Sequence, residues 1–109
     1  VRSELAATGF GGDKGIFGFG VHSGSELGVT NLVSNSGVVA SDVSAVGTAR
    51  RMVAATNYGG DKAIFGFGRT SSNVATTNLV NNSGVVGSDV SGVGTGRYGS
   101  AAAGYSFSA

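Results

Sequence analysis

The string FGGDKGIFGFG, residues 10–20, returns almost unchanged as YGGDKAIFGFG at residues 58–68. Further along, NLVSNSGVVASDVSAVGTAR (31–50) returns as NLVNNSGVVGSDVSGVGTGR (78–97), identical at 16 of 20 positions. The exchanges are Ser34/Asn81, Ala40/Gly87, Ala45/Gly92 and Ala49/Gly96, all between small or polar residues. Such close repetition implies that equivalent residues meet equivalent surroundings. A ring, a solenoid or a filament provides that condition, and a single asymmetric globule does not. The offset is 48 for the first pair and 47 for the second. The missing residue falls in 69–77, opposite 21–30. That stretch reads as a loop leading into a strand, because loops absorb insertions.

The chain divides accordingly into a first repeat (1–50), a second repeat (51–97) and the start of a third (98–109). RSELAATGFGGDK (2–14) enters at the phase of RRMVAATNYGGDK (50–62), and RYGSAAAGYSFSA (97–109) follows the same register. Each repeat is expected to hold four short strands, near 14–19, 29–34, 38–43 and 52–58, with equivalents 47 or 48 residues on. The strand signals are short apolar or aromatic runs bounded by glycine, Ser-Gly and Asn. GGD reads as a tight turn, with Asp13 or Asp61 able to bond its own backbone. No helical period persists. The fold expected is therefore all-β. Two four-stranded antiparallel repeats of about 47 residues form β-propeller blades, with one extra strand in AAAGYSF (101–107).

Alternation in the best strand places Ile16, Gly18 and Gly20 on one side and Phe17 and Phe19 on the other. Ile64, Gly66 and Gly68 likewise oppose Phe65 and Phe67. Rings of one repeat are thus expected to lie on the glycine-floored face of the next, with all four phenylalanines buried between sheets.

Composition narrows the function classes. Charged residues make up 12% of the chain and the net charge is +1, which supplies no basic footprint for nucleic acid. There is no cysteine, hence no disulfide framework or thiolate metal site. There are 21 glycines and no proline, but the 40% hydrophobic share argues for an ordered chain. No run of about 18 apolar residues is present, so no membrane-spanning helix is expected. The sequence begins at Val1 without a signal-peptide pattern, and reads as a processed product or a piece of a longer array.

His22, the only histidine, falls in the variable stretch and has no counterpart in the second repeat, so it is expected to be solvated. FGFGVHSG has spaced glycines but no helix after them, which rules out a dinucleotide fingerprint. No nucleophile, base and orienting group can be assembled, so neither an enzyme nor a cofactor is expected. Asp42 and Asp89, in SDVS, recur by repetition and are candidates for a repeated ligand contact or for turn formation. Arg50 and Arg97 are candidates for contacts between blades, and Asn35 and Asn82 complete the candidate set.

The order GTAR…AATNYGGDKAIFGFG…TTNLVNNSGVV…VGTGR resembles Kelch repeats. Arg50 and Arg97 match the arginine that precedes the inner strand of that family. IFGF with Gly20 or Gly68 stands where its glycine pair ends the second strand. NLV takes the aromatic strand, and SGVV the turn leading to the tryptophan, a position held here by Val39 and Val86. Near-identical Gly/Ser/Asn-rich arrays in phage-tail and secreted proteins are similar in composition, which favours an extracellular or virion-associated setting.

The resemblance implies an interaction or scaffold module. The expected function is a structural or binding module assembled as a homo-oligomeric ring, since two blades leave two faces uncovered and propellers close with about 4 to 8. Three chains would give six blades, a common Kelch number. The alternative is a carbohydrate-binding, lectin-like or phage host-recognition module with one shallow site per blade, so a glycan or protein ligand is the other expected partner.

Overall fold

The computed structural model describes residues 2–100 and 102. The described residues contain strands, turns and bridges and no helix. The first repeat carries β1 (Ala6–Phe10), β2 (Lys14–Gly18), β3 (Val21–His22), β4 (Ser25–Glu26) and β5 (Thr30–Val33). The second carries β6 (Ala54–Tyr58), β7 (Lys62–Gly66) and β8 (Thr77–Val80). Both main sheets are antiparallel meanders, ordered β1-β2-β5 and β6-β7-β8, while β3 pairs with β4 and bridges Ser3 through Val21. Their registers repeat: Thr8 faces Ile16 and Ile16 faces Leu32, as Thr56 faces Ile64 and Ile64 faces Leu79. Gly11 and Gly12 close the first hairpin with φ of 63° and 83°, a left-handed pair that residues bearing a Cβ adopt only at a cost.

Two expectations about strands need correction. The stretch 21–30 is not a plain loop, since it folds into the β3–β4 hairpin across Ser23 and Gly24. The segments at 38–43 and 85–90 are not regular strands. Val39 bridges Val33 and Val43 bridges Thr30, so one residue too many lies between the two bridges. Ser41 and Asp42 together oppose Asn31 in a β-bulge. Val86 and Val90 bridge Val80 and Thr77 in the same way, with Ser88 and Asp89 opposite Asn78. The main sheet of each repeat is thus three strands flanked by a fourth, bulged segment. The strand expected in residues 101–107 lies, apart from Ala102, outside the described residues.

The core lies between the two sheets. The first repeat contributes Phe10, Ile16 and Phe19 from its downstream face, the side turned to the second repeat. The second contributes Ala63, Phe65, Val80 and Val86 from its upstream face. Opposite sides of equivalent sheets therefore meet. Phe65 lies on the bare backbone of Gly18, where an added Cβ would come within 2.9 Å of the ring. It also meets Phe19 edge to face, with centroids 5.1 Å apart. Burying one such ring stabilises by about 1.5–3 kcal/mol, and the edge contact adds about 0.5–1.5.

The expectation for the four phenylalanines holds for Phe19 and Phe65, both fully buried, and fails for Phe17 and Phe67. Phe17 lies on the upstream face of the first sheet, on which no second sheet packs among the described residues, and is 38% exposed. Phe19 and Phe67 do not share a side with Phe17 and Phe65, because each takes a left-handed backbone, φ 64°, just past its strand. That turn breaks the alternation and carries the ring to the opposite, downstream face. Phe67 is half-buried there, and no second sheet lies on that face among the described residues.

Candidate interaction site at the repeat junction

The bulge creates the site. With Ser41 and Asp42 crowded opposite one residue, the backbone ladder loses a rung, and the Asn31 side chain fills it. Its Nδ2 donates to the Ala40 carbonyl at 3.2 Å and to Asp42 Oδ1 at 2.7 Å. Asn78 repeats this with the Gly87 carbonyl at 3.1 Å and Asp89 Oδ1 at 2.9 Å. In each repeat the amide oxygen of the asparagine is left to accept from an arginine.

That arginine arrives from the preceding segment. Arg50, at the end of the first repeat, is fully buried. Its Nη1 donates to the Phe67 and Thr76 carbonyls at 3.0 and 2.6 Å, and its Nη2 donates to Asn78 Oδ1. Its Nε donates to the Thr48 carbonyl at 3.2 Å. The guanidinium also stacks on the ring of Phe19, 4.7 Å from its centroid. Arg50 therefore ties the backbone of the second repeat to an aromatic ring of the first. Five N–H groups in a fixed plane suit this many-acceptor seat, and lysine would not fit it. Burial pushes the Arg50 pKa down, with Asp89 opposing, and an arginine keeps its charge nonetheless.

Arg2 fills the equivalent seat in the first repeat, donating to the Val29 carbonyl at 2.9 Å and to Asn31 Oδ1. A second tie joins the repeats. Asp89 Oδ1 accepts from the Thr48 backbone N–H at 3.0 Å and Oδ2 from the Thr48 hydroxyl at 2.6 Å. The Thr48 hydroxyl, then Asn78, hold the Asp89 carboxyl below its ordinary value, against the opposing effect of burial.

The six residues singled out by sequence separate into two groups. Arg50 and Asp89 meet at the junction. Asp42 and Arg97 are their counterparts at the two ends: Asp42 is exposed and accepts from Asn31, while Arg97 is exposed and stacks on Phe67 at 4.7 Å. Asn35 and Asn82 lie at the far end of each sheet. They donate to Asp13 and Asp61 at 2.9 and 3.1 Å, clamping the β1–β2 and β6–β7 turns. The Lys14 bond, then that of Asn35, lowers the Asp13 pKa, and the Asn82 bond, then that of Lys62, lowers that of Asp61.

Sequence reading passed over Arg2, Thr48, Asn31 and Asn78. The signal available was a polar Asn repeated inside the apolar strands TNLV, where a buried amide requires partners. His22 is exposed, with Nε2 3.4 Å from the Ser23 hydroxyl. Comparison with protein-family models gives no match, and comparison with curated proteins gives none either.

Proposed function

We propose that this chain is a non-enzymatic repeat module of the β-propeller type, Kelch-like in its repeat order, that joins copies of itself into a ring serving as a structural or binding scaffold. The observation that carries the reading is the stack of two equivalent sheets, each using one face to receive the other. Between the sheets, the strands approach most closely at β1, against β6 and β7. Sheets that converge at their first strands and diverge outward form a wedge, and wedges repeated about an axis close into a ring. The polar residues of the repeats support a scaffold role, because Arg50, Asn78, Asp89, Asn82 and Asp61 bond to the chain itself.

Native mass spectrometry at micromolar concentration tests the proposal. The expected species is a discrete trimer, three times the 10.6 kDa chain mass, giving six blades. A folded monomer would overturn self-assembly, and an open ladder of masses would overturn the ring.

A further inference from the structure

We infer that the two faces left without a facing sheet among the described residues are the two halves of one more junction, and that their partner is a second copy of this chain, docked head to tail with its first repeat on the downstream face of the second repeat. This inference rests on the self-assembly proposed above and names the surfaces that carry it. The junction inside the chain serves as the template, because its apolar contacts and its Asp89–Thr48 tie have counterparts at the ends; the Arg51 ion pairs with Glu4 and Glu26 have none, since Ser3 and Met52 stand at the positions of Arg51 and Glu4.

On the upstream side, Phe65, Val80 and Val86 of the second repeat are buried against the first. Their counterparts Phe17, Val33 and Val39 meet no second sheet among the described residues: Phe17 is 38% exposed, Val39 58% against 7% for Val86, and Val33 is half-buried. On the downstream side, Phe10, Ile16 and Phe19 are buried. Their counterparts Tyr58, Ile64 and Phe67 are half-buried, and Leu79 is 43% exposed. The polar tie repeats as well. Asp89 receives the N–H and hydroxyl of Thr48; its counterpart Asp42 and the Thr48 counterpart Thr95 stand at opposite ends, exposed as Asp89 and Thr48 themselves are. Phe17 thus finds Gly66 as Phe65 finds Gly18, and Asp42 finds Thr95 as Asp89 finds Thr48.

In sequence, 51–58 recurs both as 98–105 and as 3–10. In the incoming copy β1 is already paired along its length with β2, and Arg2 holds its seat. The incoming copy therefore keeps the position, and its Arg2 stacks on Phe67 in place of Arg97. Such a contact joins unlike faces, so it propagates until it closes on itself.

The test uses two end-blocked chains, Phe17→Asp (upstream) and Leu79→Asp (downstream), followed by light scattering across micromolar concentrations. An unpaired carboxylate buried in an apolar junction should weaken association at least about 100-fold. Wild type is expected to self-associate. Each variant alone stays monomeric, and an equimolar mixture forms a dimer and nothing larger, since it holds one intact pair of faces. Circular dichroism matching wild type confirms that the variants fold; Val39→Lys replaces Phe17→Asp if that one does not. Variants that associate like wild type, or a mixture that stays monomeric, would overturn the face assignment while leaving self-assembly standing. A monomeric wild type would overturn self-assembly itself. Trimming residues 98–109 leaves association intact on this account, and its loss would overturn the docking of a complete first repeat.

Discussion

Replacing Arg50 with methionine separates the roles of two arginines that sequence alone makes equivalent. Methionine retains much of the buried stem and donates nothing. The substitution leaves the carbonyls of Phe67 and Thr76, and Asn78 Oδ1, without their charged donor. At roughly 1 kcal/mol for each orphaned acceptor, this costs about 2–3 kcal/mol. Losing the stack on Phe19, 4.7 Å away, adds about 0.5–2. Arg50→Met should therefore cost about 3–5 kcal/mol, a large part of the roughly 5–15 available to a chain of this size. Arg2 makes the same kind of bonds but is half-exposed, so water replaces part of what Arg2→Met removes, and about 1–2 kcal/mol is expected. Urea denaturation at one fixed, dilute concentration measures both. With an m-value of about 1–2 kcal/mol/M, the two midpoints should lie about 1–3 M apart. Equal losses for the two variants, or a loss below about 1 kcal/mol for Arg50→Met, would refute the junction role of Arg50.

The other predictions use the same contrast between buried and uncovered copies. Phe65→Ala should cost about 3–5 kcal/mol, while Phe17→Ala in dilute solution should cost clearly less; urea midpoints that move together would contradict the end-face assignment. The carboxyls of Asp13, Asp61 and Asp89 are held below the ordinary value, so each favours the fold while ionised. Their contribution is present above the unfolded value near 3.9 and is lost as pH falls through the lowered folded values. Thermal melts between pH 7 and pH 2 should show stability falling in that acid window, with a shallower fall in Asp89→Asn.

Much of the fold was legible because strand periodicity and turn glycines are local signals. The β1–β2 and β6–β7 hairpins follow from GGD between apolar runs, and the use of Gly18 as a floor for a ring follows from alternation in GIFGFG. What was hidden depends on backbone conformations that no alternation rule reports. The left-handed Phe19 and Phe67 send their rings to the side opposite the one alternation assigns. The bulge at Ser41–Asp42 turns an expected fourth strand into a seat for Asn31. The unequal exposure of Phe17 and Phe65 could not be read from their identical neighbours, because it depends on which sheet face has a neighbour. The junction residues were half visible: Arg50 and Asp89 drew attention as charges, whereas Asn78 and Thr48 looked like ordinary polar residues in a chain rich in them.

Adjoining repeats meet through opposite faces of equivalent sheets, and nuclear Overhauser contacts of the Phe65 ring probe that meeting. In dilute solution, cross-peaks are expected from that ring to the Gly18 α-protons and to the Phe19 ring across the junction, with none from Phe17 to Gly66. Cross-peaks confining the Phe65 ring to residues of its own repeat would contradict it.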